Sequence, residues 1–362
     1  MVILHNPVRG LCIVDPAFFI IFKSVHNLES KSFESFLQGS VVESLFFSPI
    51  TISDIINIVS KFDVNKSAGY DDINIRIVKS AIFAIVNPLC NIFNFSLEKG
   101  IFPSALKIAK VIPVYKTGNK TLVNNYRPVS ILSIFSKLFE KLVYDKLICF
   151  IDKHNILYNK QFGFRKGYST THALIDFTDK LAKAFEKKES VLGLFLDLSK
   201  AFDCIDHSIL LCKLNFYGIR GSALKWFHSY LSNRKQYVCI DNFNSQYRNI
   251  SVGVPQGSNL RPLLFLIYIN DLQYVSNILS VLLFADDTSL FVSGKDPAML
   301  NYLVNSEMEK IHCWFLANKL QINYNKTCYI VFKSRNVNID ETVININVNN
   351  IALKRAKSKK LR

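Results

Sequence analysis

Three acidic residues are where chemistry could begin. Asp286 and Asp287 sit in the stretch 282–291, which reads Leu-Leu-Phe-Ala-Asp-Asp-Thr-Ser-Leu-Phe. Two short apolar runs flank the pair, the pattern of a β-hairpin with both carboxylates at its tip. Two carboxylates ~4 Å apart repel by roughly 4 kcal/mol at an effective dielectric near 20, a cost that solvent or a divalent cation must offset. Asp is also a favoured turn residue, so the pair taken alone reads first as a plain turn. The third acid, Asp197, directly follows the apolar run 191–196. That run is a buried strand delivering a carboxylate at its C-terminal end, although a charge there can simply mark where a strand leaves the core. If the strands are neighbours in one sheet, three carboxylates converge. Such a cluster needs cations, and hard divalent ions prefer carboxylate oxygen. Two Mg²⁺ ions held this way activate a hydroxyl and stabilise the leaving oxygen of an in-line phosphoryl transfer.

Two cations could complement them. Residues 111–115 form a short β-branched strand, 116–120 a turn and 129–132 a second extended piece, so Lys116 and Arg127 project from one strand–turn–strand unit. That arrangement suits gripping a triphosphate, although ordinary solvated charges are the default reading of cations beside a turn. The loop 161–167 interleaves Phe162 and Phe164 with Arg165 and Lys166, as a surface for stacking single-stranded bases does; Phe beside Gly in a loop is as often just packing. The loop 253–258, before the apolar run 263–269, can present backbone N–H groups to a phosphate.

The positioning elements follow from periodicity. Apolar spacing predicts helices over 53–60, 73–97, 135–151, 173–185, 208–216, 223–231 and 299–316. Gly100 to Pro103 stops the second of these. Alternation predicts a hairpin within 236–251 around 242–244, a strand over 329–332, and a last strand carrying Ile344, Ile346 and Val348. Residues 1–48 are poorly patterned. Residues 49–95 read as a helical region leading into one large domain, 96–362, with a basic tail at 354–362. No repeat or linker divides it.

The 362 residues are 49% hydrophobic with 29 Phe, which excludes a disordered chain. The net charge of +16 implies a polyanionic partner, nucleic acid or an acidic membrane surface. Six of those charges (Lys354, Arg355, Lys357, Lys359, Lys360 and Arg362) lie in the tail, which reads as solvated; the body keeps about +10. None of the eight Cys forms a Cys-x-x-Cys pair, which argues against zinc and fits a reducing compartment. Arg9 and Asp15 interrupt any signal-peptide pattern. The longest uncharged stretch, 80–97, contains Asn87, Pro88, Asn91 and Asn94 and reads as a buried helix with a break rather than a membrane span. A soluble intracellular protein is expected.

Taken in order, the segments 65–72, 111–132, 161–171, 195–206, 253–272, 284–291 and 318–332 resemble the reverse transcriptases of non-LTR (LINE-type, jockey-like) retrotransposons, from about Pro49 to about Phe332. The resemblance implies an α/β (α+β) right-hand polymerase with fingers and an RRM-like palm, an antiparallel palm sheet with packed helices. Under it Asp197, Asp286 and Asp287 match the catalytic carboxylates, and the Leu198 carbonyl a further metal ligand. Lys116 and Arg127 match residues holding the incoming triphosphate, and Gln256 the residue under nucleotide and template base. Phe202, five residues after Asp197, matches the steric gate against a ribose 2′-OH. Lys326 matches a general acid for departing pyrophosphate. The implied cofactors are two Mg²⁺ ions, with Mn²⁺ as a substitute. The implied partners are an RNA template, a DNA primer or target DNA, and dNTPs, but no membrane. The implied location is nucleus or cytoplasm, as a ribonucleoprotein, without secretion.

Three departures stand out. Arg261 occupies a position where members usually carry Gly, and a bulky cation there is expected to distort the loop carrying Gln256. The chain stops where the family continues into a primer grip and thumb, and no endonuclease precedes it, so a fragment is expected. Two readings compete: an active RNA-directed DNA polymerase, or a catalytically silent remnant that at most binds RNA. An unrelated Mg²⁺ nuclease is the reading if Asp197 and the hairpin lie far apart.

Overall fold

The computed structural model describes residues 32–241, 243–334 and 340–357. Most of the poorly patterned N-terminal segment, the hairpin residue Asn242 and the tail beyond Lys357 lie outside the described residues. In chain order the elements are α1 (Ile52–Lys61), α2 (Ile75–Lys99), β1 (Ile108–Tyr115), β2 (Tyr126–Leu132), α3 (Ile134–Lys153), α4 (Thr170–Glu186), β3 (Ser190–Leu196), α5 (His207–Phe216), α6 (Gly221–Leu231), β4 (Arg234–Ile240), β5 (Phe243–Asn244), β6 (Arg248–Ile250), α7 (Arg261–Ile269), β7 (Ser280–Phe284), β8 (Asp287–Gly294), α8 (Pro297–Ala317), β9 (Cys328–Phe332), β10 (Asn347–Val348), β11 (Ile351–Ala352) and β12 (Lys354–Arg355). They form two compact units, one from Glu43–Phe150 and Gly218–Arg261, the other from 32–42, Ile151–Tyr217 and 262–357.

In the first unit, Thr51 and Asp54 start α1 with a reciprocal capping box. Asn74 caps α2, and Gly100, at φ +67°, ends it. The expected break in α2 is absent. Pro88 is carried inside one continuous helix, where it deletes a single internal hydrogen bond. Nor is α2 buried all round. Ile75, Val78, Ile82, Val86, Phe93 and Leu97 face the core, while Phe83 and Phe95 are 78% and 61% exposed. By length and composition it is the one helix among the described residues that could cross a membrane. The sheet runs β2-β1-β4-β5, with β6 also on β4. β1 pairs antiparallel with β2 and parallel with β4. Pro128 is tolerated because β2 is an edge strand. The core is aromatic: Phe139 stacks on Phe93 and Phe102, and Trp226 on Tyr230.

The second unit is built on a sheet in the order β12-β9-β3-β8-β7. β3 lies in its middle, antiparallel to both β8 and β9, and every residue of β3 is buried. Covered strands of this kind read as unbroken apolar runs. Val191 and Phe195 on β3, Phe291 on β8, Leu282 on β7 and Ile330 on β9 pack against Ala173, Phe177 and Ala184 of α4. Away from that cluster, Lys213 of α5 and Asp271 form an ion pair at 2.6 Å with both side chains fully buried. The Trp314 indole N–H donates to the second Asp271 oxygen, at 3.1 Å. Burial pushes the Lys213 ammonium below its usual range, against the pull of Asp271.

Two C-terminal expectations change. Ile344, Ile346 and Val348 are buried as their alternation predicts, but only Asn347–Val348 forms ladder, with Ile351–Ala352. Lys354 and Arg355 are not a free tail: they form β12, parallel to β9.

Candidate active site

The β3–β8 register carries two of the acids to the same end of the sheet. The last ladder pair is Leu196 with Thr288, so the next residues are Asp197, just past the end of β3, and Asp287, the first residue of β8. Opposed residues of an antiparallel pair have Cα atoms about 4.5–5.5 Å apart and side chains on one face. Alternation puts that face with Phe195 and Phe291, the side covered by α4. Asp286 belongs to the two-residue connection Ala285–Asp286, closed by the pair Phe284–Asp287. The hairpin tip is thus Ala285 and Asp286, with Asp287 already in the ladder, a shift of one residue from the expected tip. Both Asp286 and Asp287 are half-buried.

The backbone of Asp197 is fixed on the other side. Its N–H donates to the Thr327 hydroxyl at 3.2 Å, and its carbonyl accepts from the Asn323 N–H at 2.8 Å. The Ser199 N–H donates to the Gln321 carbonyl. Leu198 and Ile322 thereby form a bridge of the wide type, in which the Leu198 carbonyl turns away from the 321–323 segment. The Lys326 ammonium lies 3.9 Å from Asp197 Oδ2 and is 65% exposed. Among the described residues, no three His, Cys, Asp or Glu side chains close into a metal-binding group. The donor set at the strand ends, carboxylate oxygens with a backbone carbonyl beside them, suits a hard divalent cation, and the side-chain cation beside Asp197 is Lys326.

Phe202 follows on the tight turn after Asp197, where the Asp203 and Cys204 N–H groups donate to the Lys200 carbonyl. Its ring packs on Phe265 of α7 at 4.4 Å between centroids and edge-on to Phe164 at 5.9 Å. Asp206, four residues on, caps α5. Burial would raise its carboxyl, but bonds from Lys319, Ser208 and the Ile209 N–H outweigh that and hold it down at about 2.

Lys116, Arg127 and Gln256 belong to the other unit. Arg127 lies opposite Val114, and Lys116 continues that strand two positions on, its N–H donating to the Asn125 carbonyl. The two exposed cations are diagonal neighbours on one face, about 7–8 Å apart between backbones. The Gln256 loop is tied to the same sheet, since its carbonyl accepts from the Ser130 N–H of β2 at 2.9 Å. Gly257 permits that approach: it holds φ +113°, and a Cβ there would stand 2.4 Å from the Ser130 carbonyl.

Arg261 is accommodated at the end of this loop. It opens α7 without positive φ, and its guanidinium donates to the Val254 carbonyl at 2.7 Å, clasping the two ends of the segment. Glu140, missed as a site residue, supports the loop from beneath. It is fully buried and accepts from the Asn259 N–H at 2.8 Å. Tyr230 joins it to Ser258. Burial pushes the Glu140 carboxyl up, against the opposing influence of Arg234. The sequence did carry a signal, an acid inside the apolar stripe of a helix where only core residues belong.

The family model for reverse transcriptase (RNA-dependent DNA polymerase) matches residues 114–351. The chain is 29% identical over 310 residues to the RNA-directed DNA polymerase from mobile element jockey of Drosophila melanogaster, covering 83% of this chain and 34% of that protein. It is 32% identical over 243 residues to the probable RNA-directed DNA polymerase from transposon BS of the same species, covering 65% and 26%. It is 28% identical over 232 residues to the probable RNA-directed DNA polymerase from its transposon X-element, covering 62% and 25%. The chain thus spans about a quarter to a third of the length of these curated relatives. With a match over more than half of its residues, the chain belongs to the reverse transcriptase family, among members of the non-LTR retrotransposon kind.

Proposed function

We propose that this chain carries the polymerising core of an RNA-directed DNA polymerase, extending a DNA primer with dNTPs on an RNA template. The observation that supports the reading is the register of β3 and β8, whose last pair, Leu196 with Thr288, is followed by Asp197 on one segment and preceded by Asp286-Asp287 on the other. In this reading the second unit acts as palm and the first as fingers, in an intracellular ribonucleoprotein. Asp197, Asp286, Asp287 and the Leu198 carbonyl would hold two Mg²⁺ ions, with Mn²⁺ as a substitute. Such ions, when bound, ease ionisation of the primer 3′-OH and neutralise charge on the transferring phosphoryl group.

The remaining roles belong to the side chains. Lys116 and Arg127 orient the triphosphate by charge-assisted hydrogen bonds. Gln256 lies under the nucleotide and template base. Phe202, braced by Phe265, excludes a ribose 2′-OH. Lys326 holds a proton at Nζ for the departing pyrophosphate.

The test is Mg²⁺-dependent extension of a DNA primer on an RNA template. Asp286→Ala is expected to abolish extension and leave RNA binding intact; extension at the wild-type rate removes the assignment. Phe202→Ala is expected to raise rNTP incorporation relative to dNTP, and an unchanged ratio means the gate lies elsewhere. One observation favours the second reading, a chain that binds RNA without extending a primer. Lys326 stands against Asp197, and among the described residues no three acidic groups close on a common point. RNA binding without extension by the unaltered chain would decide for it.

A further inference from the structure

We propose that Gln161 is a positioning residue for the acidic turn: its buried side-chain amide holds Ala285 in a left-handed conformation and so fixes where Asp286 and Asp287 stand. The proposal rests on the reading of those two acids as metal-holding groups.

Residues 160–163 run along the outer edge of β7. The Leu283 N–H donates to the Lys160 carbonyl at 3.0 Å and the Phe162 N–H to the Leu283 carbonyl at 2.8 Å, so Gln161 bridges Leu283 in parallel. This track leads straight to the hairpin tip. Gln161 is 2% exposed. Its Oε1 accepts from the Gly163 N–H and the Ala285 N–H, both at 2.9 Å, and its Nε2 donates to the Ala285 carbonyl at 3.4 Å.

Ala285 holds φ +57°, a region that costs a residue with a Cβ roughly 1–2 kcal/mol and persists only where the surroundings impose it. Those surroundings are visible. The amide satisfies both peptide groups of Ala285, and Gly163 packs so closely that a Cβ on it would stand 2.1 Å from the Ala285 nitrogen. The next residue along the chain is Asp286.

The chemistry selects glutamine. Ala285 is buried, so its N–H and carbonyl need partners. Only a side chain with an acceptor and a donor on one planar group serves both at once. Leucine fills similar space and serves neither. Glutamate accepts from both N–H groups, but its second oxygen faces the Ala285 carbonyl unless it carries a proton.

The test uses the full chain and three substitutions: Gln161→Leu, Gln161→Glu and Val304→Ala, the last a change at a buried position of α8 in the same unit. Mn²⁺ affinity is measured by calorimetry, and amide hydrogen exchange is followed at Ala285 and Gly163. Gln161→Leu is expected to speed exchange at both amides at least tenfold and weaken Mn²⁺ binding at least fivefold. Val304→Ala should lower the melting temperature without moving Mn²⁺ affinity. Should Gln161→Leu fail to fold, Gln161→Glu carries the test. Its Mn²⁺ affinity relative to wild type should recover between pH 8 and pH 6, as a proton restores the donor to Ala285. Faster exchange with unchanged Mn²⁺ affinity makes the bond purely structural and overturns the proposal, as does a pH-independent Gln161→Glu ratio. If Asp286→Ala binds Mn²⁺ and extends primers like wild type, the site assignment falls first and takes the proposal with it.

Discussion

The acids and the cations are mounted differently. Asp197 and Asp287 stand at the ends of central strands, with β3 paired on both sides and buried throughout. A one-residue slip there would exchange the side chains of its two covered faces and mispack both, so core packing fixes the register from which the acids project. Lys116 and Arg127 are exposed where β1 meets the edge strand β2, and only local pairing holds them. The difference suggests a division of labour. Under the proposed roles, metal-holding groups need sub-ångström placement, whereas cations that follow a mobile triphosphate work better on long, exposed side chains.

That contrast can be broken by kinetics. Asp197→Asn is expected to lower kcat for primer extension at least ~10³-fold, about 4 kcal/mol of barrier, with little change in the KM for dNTP. Lys116→Ala or Arg127→Ala should instead raise that KM about tenfold, the loss of one charge-assisted contact. An Arg127→Ala enzyme as slow at saturating dNTP as Asp197→Asn would erase the distinction.

Stability measurements sharpen it. Lys213→Met leaves Asp271 buried without its ammonium and should cost the second unit about 3–5 kcal/mol in urea unfolding. The double change Lys213→Met with Asp271→Leu should recover most of that, and a double variant as unstable as the single would refute this. Next in size, Arg261→Gly removes the clasp on Val254. It should cost about 1 kcal/mol and slow extension several-fold rather than improve it. The smallest effect belongs to Asp206. Its carboxyl is held down at about 2, so its contribution is full above the ordinary value near 3.8 and drains away as pH falls through 2. Asp206→Asn, which keeps the helix cap, should flatten the stability profile between pH 4 and 2 by roughly 1 kcal/mol, since Lys319 is half-exposed. An unaltered acid limb would exclude the pair as its source.

Much of this was legible in the sequence because it rests on period and local chemistry. The apolar run before Asp197 gave its strand, and helical spacing gave α1, α3, α4 and α8 to within a few residues. What remained hidden depends on partners distant in sequence. Nothing in 161–167 announces that the Gln161 amide seats a turn some 120 residues away. Arg261 read as an intrusion because a long cation looks disruptive until its acceptor, Val254, is seen. Pro88 read as a break because propensity disfavours it, but one lost hydrogen bond is small beside the packing of a 25-residue helix. The basic tail read as solvated because charge alone cannot reveal that two of its residues pair with β9.

That pairing has a consequence for the behaviour of the chain in solution. Without β12, the Cys328–Tyr329 end of β9 would become an open margin of the sheet, offering its backbone groups to any neighbouring molecule. Lys354 and Arg355 cap that margin with two like charges, so an identical edge approaching it meets repulsion instead of a template for growth. Two basic residues thus serve as insulation against aggregation.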